Sequence, residues 1–445
     1  MRTTLAKHVL FPIIQIVLKN RCWDYYKVVE ESQWYSPEEI QELQWKKLKE
    51  LLEHAYENVP LYHQAFEEAG LKPGDINHPD DMSKLPITTK EIFRENYPHN
   101  TLAKNVQKSD MVLNNTSGST GSPFQFMMSR RLLGMRWAYY LRGNKWVDLD
   151  VGEGFVRLWG VRKSFKERVS IGFTLNMKTL SAFGMGEEQM QKYVEYIKKH
   201  PPKIIEAYAS AATRLAMFIN SQRIKDVKVG AVITSGETLP EAHRNEIELA
   251  FNCNVFNRYG CREFGAIAHE CSEHTGLHLN AESFFIEFVE DEQTANTGLY
   301  KIILTNLENY AMPFIRYDIG DMGHPSDKIC TCDRGLPLIA EPYGRMIDIV
   351  MSPSGRMISV HFMTLLFGSY NKYVKGFQAN QTKEDTLEVL IIPTEKFNQE
   401  ISDMLQAKVQ DHTGLDMQVV FKLVDDIPQG KSGKRAILRN LMAKK

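Results

Sequence analysis

Residues 116–121 read Thr-Ser-Gly-Ser-Thr-Gly, four hydroxyls and two glycines without interruption. Glycines let a backbone approach a ligand with its N–H groups exposed, and hydroxyls add further donors. The chemistry open to Thr116, Ser117, Gly118, Ser119, Thr120 and Gly121 is therefore the binding of a polyphosphate. A plain structural turn explains the same composition. A flexible spacer does not, because Pro123-Phe124-Gln125-Phe126 follows directly and has the pattern of a strand. Nor is the stretch a Walker A loop, since no Gly-Lys-Ser/Thr follows the first glycine at the required spacing. Cys330-Thr331-Cys332 is a second candidate. Its spacing is too tight for an ordinary disulfide but suits two thiolates that share a metal; buried free cysteines are the competing reading.

These residues need a scaffold, and the region from 187 to 260 supplies one. Residues 187–200 predict a helix that Pro201 and Pro202 stop; Ile204–Tyr208 predicts a buried strand. A second helix over 210–221, a strand over 230–235, a third helix over 239–251 and a strand over 254–260 follow. Such alternation implies an α/β fold with a parallel sheet, whose ligands bind beyond the carboxyl ends of the strands. Two polar clusters stand at those ends, Ser235-Gly236-Glu237 and Arg258-Tyr259-Gly260-Cys261-Arg262-Glu263. Earlier, Ser36-Pro37-Glu38-Glu39 reads as a helix start with a capping box. After residue 280 an antiparallel hairpin is expected, and beyond about 350 a separate small α+β domain.

Composition sets the outer bounds. The chain has 445 residues, with 43% hydrophobic and 10% aromatic residues, which fits a large globular domain and a smaller one. Lys and Arg number 54 against 55 Asp and Glu, so no overall field favours nucleic acid or an anionic membrane, and partners must be sought locally. Six cysteines are too few for a disulfide framework, which points to the cytoplasm. The most apolar stretch, residues 9–18, contains Pro12 and Gln15 and is too short to span a bilayer. With Arg2, Lys7, Lys19 and Arg21 around it, it suits either a docked helix or a peripheral membrane contact through residues 1–22.

Taken in order, "TSGSTGSP" at 116, "TSGETLP" at 234, "NRYGCREFG" at 257, "FIRYDIGD" at 314, "GRMID" at 344 and "IPQGKSGK" at 427 resemble the motifs of the adenylate-forming superfamily. The closer resemblance, which covers almost the whole chain, is to phenylacetate-coenzyme A ligases and CapK-type proteins of capsular polysaccharide clusters. It implies a large N-terminal domain, 1–345, and a small mobile α+β domain, 346–445. It implies two half-reactions: ATP and a carboxylic acid give an acyl-adenylate, and coenzyme A or an amine or sugar acceptor then displaces AMP. The glycine and hydroxyl loop would hold phosphates. Glu263 would hold Mg2+, Tyr259 would stack on adenine, and Gly236, Glu237, Asn257, Arg258 and Gly260 would line the same nucleotide pocket. Asp321 and Arg345 would meet the ribose. Lys434 would be the catalytic lysine, although the basic residues around it equally describe a solvated tail.

The resemblance also brings Cys271 and His278 to the region of Cys330 and Cys332 as a structural Zn2+ site, with His274 as a rival ligand. Two departures stand out. Phe124 follows Pro123 where the wider superfamily often has a lysine, and Arg262 stands where it usually has threonine. Those departures motivate an alternative, a nucleotide-binding scaffold that has lost turnover. Aromatic residues at 137, 139, 140, 159 and 208 are candidates for an acyl pocket or for core.

Overall fold

A computed structural model of the chain describes residues 2–19, 21–115, 124–160, 175–182, 185–291, 299–340, 342, 344–345, 349–354, 357–359, 363, 366–367, 370, 372–427 and 437–442. The hydroxyl-rich loop, Lys434, and Asp348, which lies where the resemblance implies the hinge between the two domains, are outside these residues.

A hairpin of β1 (Met111–Asn115) and β2 (Gln125–Ser129) brackets that loop, with Asn115 opposite Gln125. The scaffold is an eight-stranded sheet. Its parallel part runs through β3 (Phe155–Trp159), β4 (Met177–Ser181), β5 (Ile204–Ala207), β6 (Ala231–Ser235) and β7 (Val255–Cys261). The antiparallel strands β8 (Gly265–Glu270) and β9 (Leu277–Leu279) extend it. A second sheet joins β10 (Phe284–Glu290), β11 (Tyr300–Asn306), β12 (Tyr317–Gly323) and, beyond β13 (Leu338–Ile339) of the main sheet, β14 (Gly344–Arg345).

The helices form for legible reasons. Helix Glu187–Lys199 buries Met190, Tyr193, Val194 and Ile197, a stripe at three- and four-residue spacing, with glutamates in its first turn and lysines in its last. Helix Pro37–Asn58 opens on the expected capping box: the Glu39 N–H donates to Ser36 Oγ (3.2 Å) and the Ser36 N–H to Glu39 Oε2 (2.8 Å). All four residues of β5 are buried, as a strand covered on both faces requires. One of them, Glu206, is charged, and a buried carboxylate needs partners. Arg157 (3.3 Å), Arg258 (3.3 Å) and the Tyr140 hydroxyl (2.8 Å) provide them.

The remaining strands are β15 (Ile349–Met351), β16 (Met357–Ser359), β17 (Val374–Lys383), β18 (Thr386–Pro393), β19 (Gln418–Leu423) and β20 (Leu438–Asn440). The last four form one sheet in the order β19-β18-β17-β20. With helix Gln399–Thr413 it encloses a hydrophobic core of buried residues drawn from 350–438.

Candidate active site

The carboxyl ends of the parallel strands carry the site, as the sheet's polarity predicts. Beyond β6 the chain turns at Gly236 with φ +77°, where a Cβ would press on the Tyr208 ring at 3.3 Å. Tyr208 stacks on Trp159 with ring centroids 4.0 Å apart, so two strand-end aromatics stand side by side at this end of the sheet. Glu237 Oε2 accepts the Ser210 N–H (2.8 Å) at the start of helix Ala209–Ser221, where a carboxylate offsets the helix dipole. Beyond β7 the strand reverses through Arg262, Glu263 and Phe264 into β8. That reversal is tight: a Cβ on Gly260 would collide with the Gly265 carbonyl. Arg136 holds the turn, its Nη1 donating to the carbonyls of Arg262 (3.0 Å) and Glu263 (3.4 Å).

From the second sheet, β12 brings Asp321 to this place. The Tyr259 hydroxyl donates to Asp321 Oδ2 (2.9 Å) across 62 residues of sequence. Arg345 stands directly opposite Asp321 in the β12–β14 ladder, and a Cβ on neighbouring Gly344, at φ +87°, would lie 3.5 Å from Thr238 Oγ1. Four of the six motif segments thus meet where the two sheets abut. Burial, then the Glu263 carboxylate, raises the Cys261 thiol well above its usual range, which leaves it an unreactive wall residue. Burial and the same carboxylate also raise the Tyr317 hydroxyl. Burial lifts the Asp318 carboxyl, with Asp291 and Glu91 adding to the shift.

Both ends of the 116–123 loop open beside it. Arg262 Nε donates to the Asn115 carbonyl (3.3 Å), which ties the loop's entrance to the Glu263 turn. At the exit, Phe124 is buried among Phe93, Phe126 and Phe314, with Lys90 Nζ 5.7 Å from its ring centroid. Lys90 is the residue that sequence reasoning missed. It follows Thr89, the N-cap of helix Lys90–Asn96, so its place at a helix start was visible while its nearness to position 124 was not.

Asn257 and Arg258, expected to line the nucleotide pocket, lie on β7. Both are buried; Arg258 spans from Glu206 to Asn144 Oδ1 (2.5 Å) and lies 4.6 Å over the Tyr140 ring, while the Asn257 N–H donates to Glu270 Oε2 (2.7 Å). They brace β7 from within. Of the candidate pocket aromatics, Trp159 and Tyr208 stand at the site. Tyr139 bonds Ser283 (2.6 Å), Tyr140 bonds Glu206, and Trp137 packs edge-on to Tyr140, so these three fill the interior.

Cys271, His278, Cys330 and Cys332 converge with their ligand atoms all within 4.8 Å of one another. Cys271 Sγ and Cys330 Sγ are 3.5 Å apart, far beyond a disulfide, and Cys332 Sγ lies 3.3 Å from His278 Nε2. A tetrahedral zinc with bonds of about 2.0–2.3 Å needs edges of this order. His278 Nδ1 lies 3.1 Å from the Leu336 carbonyl, which fixes that nitrogen as donor and turns the Nε2 lone pair to the cluster. Burial lowers the imidazole to about 4, so it is neutral at pH 7, as a ligand must be. His274, the rival, pairs instead with Glu270 (3.1 Å). The donor set fits zinc, which would tie β8 and β9 to the loop after β12.

Comparison with known proteins bears on the family and the fold. The family model of the CapK C-terminal domain matches residues 350–440. Phenylacetate-coenzyme A ligase of Pseudomonas putida is 30% identical over 307 residues, covering 64% of this chain and 67% of the relative. Protein CapK of Staphylococcus aureus is 23% identical over 90% of this chain and 89% of its own. Among solved structures, 2-hydroxyisobutyryl-CoA ligase in the postadenylation state, in complex with 2-HIB-AMP, superposes with a TM-score of 0.68. It is 18% identical and covers 91% of this chain and 90% of its own, which shows a shared fold.

Proposed function

Because the chain belongs to the adenylate-forming ligases, in the branch of the phenylacetate-coenzyme A ligases and CapK, we propose that it joins a carboxylic acid to coenzyme A through an acyl-adenylate. It is an ATP-dependent adenylate-forming ligase; the proposal concerns its residues and its acceptor. The observation that carries it is the meeting of Tyr259, Asp321, Gly236 and the Glu263 turn at one sheet end.

In the first half-reaction an acid oxygen bonds to the α-phosphorus of ATP, and the bond to pyrophosphate breaks. In the second, the acceptor's nucleophile bonds to the acyl carbon and AMP leaves. Negative charge grows on the phosphates in the first step, so fixed donors and cations there lower the barrier. Thr116, Ser117, Ser119 and Thr120, with the loop's N–H groups, grip the outer phosphates. Lys90 provides at the loop's exit the charge that Phe124 does not. Glu263 holds Mg2+, a hard cation suited to a carboxylate, which when bound neutralises phosphate oxygens. Tyr259 and Gly236 flank the adenine, Glu237 orients the pocket wall, and Asp321 accepts from the ribose hydroxyls beside Arg345. Trp159 and Tyr208 wall the acid. Lys434 arrives on the small domain, which turns about Asp348 between the two steps. Structural zinc on Cys271, His278, Cys330 and Cys332 steadies the loop that follows Asp321.

The names of the coenzyme A ligases among the relatives support a thiol acceptor; the likeness to CapK supports a second reading, an amine or sugar acceptor in surface polysaccharide synthesis. Exchange of labelled pyrophosphate into ATP over a panel of carboxylic acids tests the first step. Acid-dependent exchange is expected, followed by AMP release on addition of coenzyme A. ATP binding without exchange for any acid contradicts the proposal, and AMP release with amines or sugars alone selects the second reading.

A further inference from the structure

The N-terminal helical run, Arg2–Leu5, a π turn Ala6–Leu10 and Phe11–Leu18, leaves Leu5, Val9, Ile13 and Ile16 in solvent, Ile16 with 76% of its surface exposed. Spacings of four, four and three put them on one face. The run is nonetheless seated: Ala6, Phe11 and Gln15 are buried, Gln15 Oε1 accepts the Trp23 N–H (2.7 Å), and Lys7 pairs with Asp150 (2.6 Å). The exposed stripe is thus a second face, left over after docking.

Its position matters. Thr3 lines a hollow together with Lys203, Lys225, Lys228 and Leu249 and with the acidic Glu153 and Asp226, residues that precede β3, β5 and β6 or lie on the helix before β7; Lys203 is paired with Asp148 (2.5 Å), which leaves Lys225 and Lys228 as its outward cations. This is the amino end of the parallel strands, opposite the end that carries Gly236 and Glu263. The helices that return to it end there in exposed cations, Lys198 and Lys199 after one and Arg223, Lys225 and Lys228 after the next. Residues 1–22 contain no Asp or Glu; of their cations Lys7 is taken up by Asp150 and Arg21 by Asp24 (3.0 Å), while Lys19 is exposed. Leu249, 73% exposed, adds to the apolar surface.

We infer that this end of the molecule docks on an anionic lipid bilayer, the aliphatic stripe entering the headgroup and acyl boundary and the lysines meeting lipid phosphates. The chemistry matches an interfacial helix, which joins an apolar face to surrounding cations. Among the described residues no helix is long and apolar enough to cross the membrane, so the helix lies on it. Docked in this way, the ligase keeps its nucleotide end, at the far end of the sheet, open to the aqueous side.

Cosedimentation of the full chain with phosphatidylcholine vesicles, with and without phosphatidylglycerol, tests the inference. The wild type pellets with the anionic vesicles, and added salt weakens it. Ile13→Glu with Ile16→Glu lowers partition by more than about tenfold, because two aliphatic side chains no longer enter the boundary. Lys225→Gln with Lys228→Gln lowers it by about fivefold per lysine and flattens the salt dependence. Both variants alter exposed positions, and an unchanged melting temperature verifies their folds. A wild type that stays in solution with both vesicle types overturns the inference, as does a double isoleucine variant that pellets like the wild type. If sedimentation velocity instead finds a dimer that the isoleucine variant dissolves, while vesicles bind nothing, the stripe is a subunit interface and the inference falls.

Discussion

On the proposed reading, the Tyr259–Asp321 pair serves the nucleoside and the Lys90 ammonium beside Phe124 serves the phosphates. Loss of a cation at the reacting phosphates should be felt in rate. Lys90→Ala is expected to slow acid-dependent pyrophosphate exchange by about 10²-fold. Lys434→Ala should reduce it by about 10³-fold while ATP still binds, since this lysine completes the site for the first step only. Nucleotide titration by calorimetry alongside the exchange rate checks both; unchanged exchange in either variant removes that lysine from the mechanism. Residue types and motif order made Glu263, Asp321 and Gly236 visible in the sequence. Lys90 was not, because a cation 34 positions before Phe124 becomes its neighbour only through packing of Phe93 and Phe314 around that ring. The partner of Arg258 was equally hidden: it sits inside a nucleotide motif, and only the fold brings it to the buried Glu206 carboxylate, which would otherwise stand with fewer partners.

At the scale of elements, the helices and strands from 187 to 261 were legible because each has a clean period and a marked stop, such as Pro201 after Lys199. That β8 and β9 continue the parallel sheet in the opposite sense was not, because the pairing of Tyr259 with Ala268 depends on a turn through Arg262–Phe264 that Arg136 stabilises from a distant helix. The proposed metal works at this scale, since its ligands come from the end of β8, from β9 and from the loop after β12. Metal analysis of the purified chain should find zinc. Cys330→Ser with Cys332→Ser should lose it and melt at a lower temperature, because the loop that leads from Asp321 is then held by one side only. Wild-type protein that contains no metal and melts identically with and without a chelator would contradict the assignment.

For the whole molecule, two sheets meet so that residues from four chain segments come together, while a separate core is drawn from residues 350–438. On the proposed reading, the chemistry belongs to one end of the parallel strands and the bilayer contact to the other. The most direct test of this account is a crystal structure of the protein with ATP, Mg2+ and an accepted acid or its adenylate analogue. The account predicts adenine between Tyr259 and Gly236, ribose hydroxyls on Asp321, and the cation on Glu263. A nucleotide bound away from these residues, with Asp321 still held by Tyr259, would contradict it.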